Sequence, residues 1–392
     1  MGKIYFDNAA TTSVRKEVFS AMTPYFQDFY GNPSSIYELG TQSKRAVNQA
    51  RESVAKALDA EAEEIFFTGS GTESNNWAIK GAVMTAGKKK HIITTSIEHH
   101  AVLHTCHFLE KLGFSVTYLP VDKFGMISID DLKKAISPET FIISIMFANN
   151  EIGTIQPIKD IGLVAKENGV LFHTDAVQAV GHVPISVRDM NIDMLSLSAH
   201  KIHGPKGVGA LYIRKGIKIG PILHGGAQER NMRAGTENVP GIVGLGAAID
   251  LAHDDVKEKI DKITKMRDML IANILEAIPY TKLNGHPKNR LPGNVNISFS
   301  YIEGESLILL LNNEGIYVSS GSACTSGSLD PSHVLLATGL SHMEAHGSLR
   351  ITIGRYNLDE DAKFLMKKLP PIIQRLRDMS PLYDSSMQRI EI

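Results

Sequence analysis

The stretch Met194-Leu195-Ser196-Leu197-Ser198-Ala199-His200-Lys201-Ile202-His203-Gly204-Pro205-Lys206-Gly207-Val208-Gly209-Ala210-Leu211-Tyr212-Ile213 sets two apolar runs on either side of a link holding a lysine, glycines and a proline. Both runs read as strands bounded by turn residues. Only about ten residues join them, fewer than a parallel crossover needs, so the second strand is expected to run antiparallel to the first. Lys201 stands in that link. A lysine at the end of a buried strand is costly as a bare ammonium, whereas as an imine to a carbonyl compound it loses the charge and gains a task. The plain alternative is a surface lysine in a connecting loop.

Working outward, apolar runs at 65–68, 92–97, 116–121, 141–148 and 170–174 precede this pair, seven strands with 194–198 and 209–213. Helical patterns such as 74–85 and 101–112 separate most of them, the signature of a mainly parallel sheet covered on both faces. Residues 41–58 repeat Val47, Ala50, Val54 and Leu58 at helical spacing. Farther on, 241–278 carries Ile242, Leu245, Ile249, Ala252, Val256, Ile260, Ile263 and Leu270 in one helical register, long enough to bridge two domains. A strand at 295–300, a helix at 305–312, strands at 316–319 and 349–353 and a terminal helix then describe a smaller α+β unit. The expected fold class is α/β in two domains.

The composition bounds the function. With 392 residues, 43% hydrophobic and 21% charged, the chain is an ordinary globular protein. Its 41 basic residues balance 42 acidic ones, which argues against nucleic acid and anionic membranes as direct partners. The start lacks the apolar core of a signal peptide and no apolar run reaches membrane-spanning length, so a cytoplasmic protein acting on small molecules or proteins is expected. Two cysteines far apart, Cys106 and Cys324, do not make a disulfide framework.

Several stretches carry chemistry. Gly69-Ser70-Gly71-Thr72-Glu73-Ser74-Asn75-Asn76 lies between a strand and a helix, where glycines and free amides form a phosphate cradle; it lacks the ending of a P-loop, and a plain turn is the alternative. Asp175, in His173-Thr174-Asp175-Ala176-Val177-Gln178, ends a strand at the sheet edge that binds ligands. There it either caps the next turn or holds a pyridine nitrogen protonated, the partner of a lysine imine in pyridoxal phosphate sites. His99, in Glu98-His99-His100, also follows a strand and suits stacking on a ring or moving protons. His100, His104 and His107 invite a zinc reading, but no thiolate or carboxylate is spaced to complete a tetrahedral site. Cys324 lies among Gly and Ser, with nothing to pack against, and suits a nucleophile that reaches one partner and then another. Cys106, in an apolar helical run, reads as buried and inert. Arg350, in strand-like alternation, offers a fork that fits an α-carboxylate, the alternative being a surface ion pair.

Taken together, Asp7-Asn8-Ala9-Ala10-Thr11-Thr12, Gly31-Asn32-Pro33-Ser34-Ser35, Gly71-Thr72-Glu73-Ser74, Asn149-Asn150-Glu151, Asp175-Ala176-Val177-Gln178, His200-Lys201, Arg233-Ala234-Gly235-Thr236-Glu237 and Ser320-Gly321-Ser322-Ala323-Cys324-Thr325-Ser326 closely resemble the NifS/IscS-type cysteine desulfurases, nearer the NifS branch. These are class-V, aminotransferase-like enzymes of fold type I that use pyridoxal 5'-phosphate. The resemblance implies a large cofactor-binding domain over residues 13–258 and a small domain made of 1–12 and 259–392 that carries the Cys324 loop. It implies that Lys201 binds the cofactor as an imine, Asp175 holds the ring nitrogen, Gln178 the ring oxygen, and His99 stacks on the ring. Gly71, Thr72, Ser198 and His200 would hold the phosphate, and Thr236 would reach the phosphate of the other protomer of a homodimer. Asn150 and Arg350, with Asn32 nearby, would grip the carboxylate of L-cysteine. Freed Lys201 would take the α-proton and the Cys324 thiolate would take the sulfur, leaving alanine and a persulfide. The persulfide would pass to an iron-sulfur scaffold protein of the NifU/IscU type, or to nitrogenase-type assembly or tRNA thiolation. An aminotransferase or selenocysteine lyase would share Lys201 and Asp175; a silent sulfur carrier would share only the fold.

Overall fold

The structure, a computed structural model, describes residues 3–254, 256–320 and 331–383. Its strands are β1 (Ile4–Tyr5), β2 (Ile65–Thr68), β3 (His91–Thr95), β4 (Ser115–Leu119), β5 (Thr140–Ser144), β6 (Leu171–Asp175), β7 (Met194–Ser198), β8 (Gly209–Ile213), β9 (Thr281–Leu283), β10 (Asn294–Phe299), β11 (Ile316–Tyr317) and β12 (Ser348–Thr352). Seven of them form one sheet in the order β2-β8-β7-β6-β5-β3-β4. Only β8 runs against its neighbours, pairing Ser198 with Gly209 and Met194 with Ile213, as the short link requires. The link can be that tight because Gly204 has no side chain: a Cβ there would lie 2.9 Å from the Ala199 methyl.

The strands read as continuous apolar runs because both faces of the sheet are covered. Phe66, Ile92, Ile142, Met194 and Leu211 face one core, shared with Trp77, Val102 and Cys106 of the helices Gly71–Val83 and His100–Lys111. Their neighbours Phe67, Ile93, Ile143, Leu195 and Ala210 face the other, shared with Val47, Val54 and Leu58 of the helix Glu38–Leu58. Burying one such side chain contributes about 1.5–3 kcal/mol, so this two-sided burial dominates the stability of the layer.

A third core gathers Phe6, Leu270, Val295, Ile297, Phe299, Leu349, Ile351 and Leu365 around the antiparallel sheet β12-β10-β9 and the β1–β11 pair. The helical stretch read over 241–278 is two helices, Val239–Asp254 and Val256–Ala277. The apolar rhythm runs on through both because Ile242, Leu245 and Ile249 fill the core under the helix Glu38–Leu58, and Ile263, Leu270 and Ile274 the third core. Strand β5 ends at Ser144, short of the apolar run to Ala148. Residues 145–148 stay apolar because they are buried under the sheet edge, with the amides of Ile145 and Phe147 still bonded to the carbonyls of His173 and Asp175. Strands β1 and β9, of two and three residues, are too short to leave a periodic signal. Among the described residues no helix is long and apolar enough to cross a membrane.

Candidate active site

Parallel strands β5, β6 and β7 all end at one edge of the sheet, and a cavity of about 570 Å³ opens there. Its walls include Gly71, Thr72, His99, Asn150, Asp175, Gln178, Ser198, His200, Lys201 and Arg350, which the sequence singled out separately. Ala9, Ala10, Thr11, Asn75 and Lys206 line it as well.

Lys201 ends a short helical turn that follows β7. Its Nζ donates to the carbonyls of Ala9 at 2.5 Å and Ala10 at 2.7 Å. The N-terminal segment can lie there because it is sewn to the same turn. The Thr12 amide and hydroxyl donate to the His200 carbonyl at 3.0 and 2.8 Å, and the His203 amide donates to the Thr12 hydroxyl at 2.8 Å. Gln178 Nε2 donates to the Ala9 carbonyl at 3.0 Å. Burial, reinforced by Lys201 and Lys206, lowers the His200 imidazole to about 4, so it is neutral near pH 7.

Asp175 ends β6 and is 6% exposed. Asn75 Nδ2 donates to its Oδ2 at 2.6 Å and the Val177 amide to its Oδ1 at 3.0 Å, which fixes the carboxylate plane. Asn75 sits one helical turn from Gly71, where the helix Gly71–Val83 begins at the cavity. That first turn contains an acid, Glu73, but Arg233 takes its carboxylate at 2.8 Å and the Gly69 amide at 2.7 Å, leaving the cradle fit for an anion. Gly71 admits no side chain: a Cβ would lie 2.6 Å from Val177 Cγ2. His99 caps the helix His100–Lys111, its Nδ1 accepting the Ala101 amide at 3.1 Å.

On the opposite wall Arg350, 1% exposed on β12, donates to Asp7 Oδ1 at 2.9 Å and to the Asn150 carbonyl at 3.2 Å. Its Nε is buried without a hydrogen-bond partner among the described residues. Two buried acids stand behind the site. Burial raises Glu98 to about 8 although Met146 N and the Thr95 hydroxyl donate to it, with the charge of Asp175 adding to the rise. Burial likewise raises Glu151 to about 7, against the opposing pull of Ser332, Arg350 and His99.

Three residues named from sequence are not on these walls. Asn32 is exposed and its Oδ1 accepts the Ser34 amide at 2.9 Å. Thr236 lines a neighbouring cavity of about 150 Å³, which shares Gly207 with the first. Cys324 lies outside the described residues. Cys106 is buried, and burial pushes its thiol up to about 12, which leaves it unreactive. His100 packs on His104 and His333 at ring separations of 4.9 and 4.8 Å, and burial with these neighbours lowers it to about 4. Among the described residues no group of three or more His, Cys, Asp or Glu is placed to hold a metal ion.

Sequence reasoning missed Asn75, Asp7 and Lys206, and the carbonyls of Ala9 and Ala10. Asn75 had a signal, since it stands in the segment read as a phosphate cradle. The two carbonyls had none, because every residue carries one.

Residues 4–365 match the model of the aminotransferase class-V family. The chain belongs to that family, whose cofactor is pyridoxal 5'-phosphate. It is 64% identical to "Cysteine desulfurase IscS" of Methanosarcina thermophila over 97% of this chain and 94% of the relative. It is 57% identical to the protein of that name from Clostridium botulinum strain Hall over 99% of each. Among solved structures, a NifS-like protein superposes with a TM-score of 0.90 at 41% identity, over 95% of this chain and 100% of that one. The structure of SspA in complex with cysteine gives 0.80 at 43% identity, over 91% and 100%. The α/β class, the mainly parallel seven-stranded sheet and the family resemblance read from the sequence all hold.

The buried acid Glu98 gives a signed test. Its folded-state value of about 8 lies above the ordinary 4.5, so between those values the folded chain keeps a proton that the unfolded chain has lost. Stability from this group is therefore present at low pH and declines as pH rises through the window. Thermal unfolding of Glu98→Gln, which mimics the neutral acid, is expected to lose less Tm than the parent between about pH 5 and pH 8; equal losses would place no such proton on Glu98.

Proposed function

We propose that this chain is a pyridoxal 5'-phosphate-dependent cysteine desulfurase, converting L-cysteine to L-alanine and keeping the sulfur as a persulfide on Cys324. The observation that carries the reading is the placement of Lys201 Nζ on the carbonyls of Ala9 and Ala10, in a cavity whose other walls hold Asp175 and Arg350. The relatives named cysteine desulfurase, matched over nearly their full length, support it.

The residues present fit the cofactor. A lysine amine, an ionisable acid at the strand end and a glycine-opened helix start stand in one cavity, and a buried Asn75 Oδ1 lacks any hydrogen-bond partner among the described residues. When bound, the cofactor supplies an electrophilic carbonyl and a ring that withdraws electrons from the substrate Cα. Lys201 would hold the carbonyl and Asp175 the ring nitrogen, oriented by Asn75. Gln178 would take the ring oxygen, His99 would cover one face, and Gly71, Thr72, Ser198 and neutral His200 would take the phosphate.

Arg350 and Asn150 orient the L-cysteine carboxylate, and Asp7 keeps the guanidinium in place between turnovers. Lys201 Nζ, neutral when displaced, takes the proton from the substrate Cα. The Cys324 thiolate forms an S–S bond to the substrate sulfur as the C–S bond breaks. That electron pair stays with the substrate Cβ, which takes up a proton; return of the Cα proton from Lys201 then completes alanine, while the sulfur remains on Cys324 as the persulfide.

In a homodimer Thr236, which lines a cavity beside this one, would serve the phosphate of the second copy. The cofactor unit would span 13–258 and the smaller unit 1–12 with 259–392. The persulfide would go to an iron-sulfur scaffold of the NifU/IscU type in the cytoplasm.

Two tests apply. After anaerobic incubation with L-cysteine, mass spectrometry is expected to find the persulfide on the Cys324 peptide, and Cys324→Ala to lose most alanine release; release at the parental rate would refute the role of the thiol. Asn75→Leu removes a hydrogen bond to a charged group, and cofactor affinity in titrations of the apoprotein is expected to fall about tenfold or more. Parental affinity would show that Asn75 does not orient Asp175.

A further inference from the structure

Residues 321–330, with Cys324, lie outside the described residues, but the chain on both sides of them is tied down. Both ties run to the neighbourhood of the substrate-carboxylate residues. Before the stretch, the Ser319 amide donates to the Arg350 carbonyl at 3.1 Å and the Arg350 amide to the Ser319 carbonyl at 2.7 Å. After it, the Ser332 hydroxyl donates to the carboxylate of Glu151, the residue that follows Asn150. Ser332 Oγ also accepts the Leu335 amide at 3.2 Å, starting the helix His333–Ala337. His333 Nε2 donates to the Glu98 carbonyl at 3.0 Å, next to His99.

Glu151 is itself held at every polar group. Its amide donates to Asn149 Oδ1 at 2.9 Å, and its carbonyl accepts Asn294 Nδ2 at 2.9 Å and Asn296 Nδ2 at 3.0 Å. Asn296 is the register partner of Arg350 across the β10–β12 pair. Val334 and Leu335 then pack with Ile97, Met146 and Ile152 at the sheet edge. One run of contacts therefore joins the two ends: Ser319 to Arg350, Arg350 to Asn296, Asn296 to Glu151 and Glu151 to Ser332.

We infer that Glu151 is a positioning residue for the sulfur-transfer step: through Ser332 it fixes the point at which the chain returns from Cys324 relative to the residues that grip the substrate carboxylate. This rests on the desulfurase reading above. Its physical content is that transfer between two sulfur atoms depends steeply on their placement, whereas substrate binding depends only on the carboxylate grip and the cofactor. A buried carboxyl that burial raises to about 7 is a costly way to hold a serine, and its cost is matched by a fixed geometry on three sides.

The experiment uses the cofactor-loaded full chain and two readouts. One is cysteine affinity, from the change in cofactor absorbance; the other is the single-turnover rate at which the Cys324 peptide gains a persulfide. In Glu151→Ala and in Ser332→Ala, persulfide formation is expected to slow about tenfold or more while affinity stays within about threefold. Glu151→Gln, whose amide oxygen still accepts from Ser332, is expected to recover most of the rate. Parental rates in both alanine variants would overturn the inference, as would rate and affinity falling together, which is the mark of general damage. If Glu151→Ala does not fold, Ser332→Ala, which removes one hydroxyl, decides by the same criteria. A parent chain that forms no persulfide on Cys324 would instead sink the functional reading.

Discussion

The contact on which the rest of the site depends is the one between Lys201 Nζ and the carbonyls of Ala9 and Ala10. It joins the N-terminal turn to a link 192 residues beyond Ala9, and further contacts hold both ends. The link is fixed by the antiparallel return of β8, and the N-terminal turn by Thr12 on His200 and by Asp7 on Arg350. Two neutral carbonyls hold the amine at the wall of the cavity. A lysine so held is solvated by the protein yet available for covalent chemistry.

Charge is distributed around that lysine with a consistent logic. The group at the strand end that must stay ionised, Asp175, receives two donors, while Glu98 and Glu151, set deeper, are pushed by burial towards their neutral forms. Asp175 lines the cavity with Lys201, and Asp7 accepts a hydrogen bond from Arg350. His200 is neutral for the same reason, burial beside two lysines, and so serves as a hydrogen-bonding group and not a third cation. One sheet edge thus presents an acid pole, a cation pole and a helix start to one cavity.

Much of this was legible in the sequence, for identifiable reasons. Alternating side chains of β2, β3, β5, β7 and β8 fill two cores, so each strand shows as an unbroken apolar run, and the length of the 199–208 link gives the direction of β8. Lys201, Asp175 and Arg350 were visible because charged residues at strand ends or within apolar alternation stand out. Groups that act through the backbone were not: the carbonyls of Ala9 and Ala10 belong to residues with no chemistry of their own. Asn75 was hidden inside a helix start that already had a reading, and Asn32 carries a motif but not a place on the cavity wall. The boundary within 241–278 was invisible because two cores draw on one continuous helical rhythm.

Lys201, and no other amine of this cavity, is expected to hold the carbonyl cofactor. Lys206 lines the same cavity and supplies the comparison. Borohydride reduction of the chain reconstituted with pyridoxal 5'-phosphate, followed by peptide mapping, measures this directly. A single pyridoxyl group on Lys201, lost in Lys201→Ala, is expected; a label on Lys206, or one that persists in Lys201→Ala, would contradict this assignment.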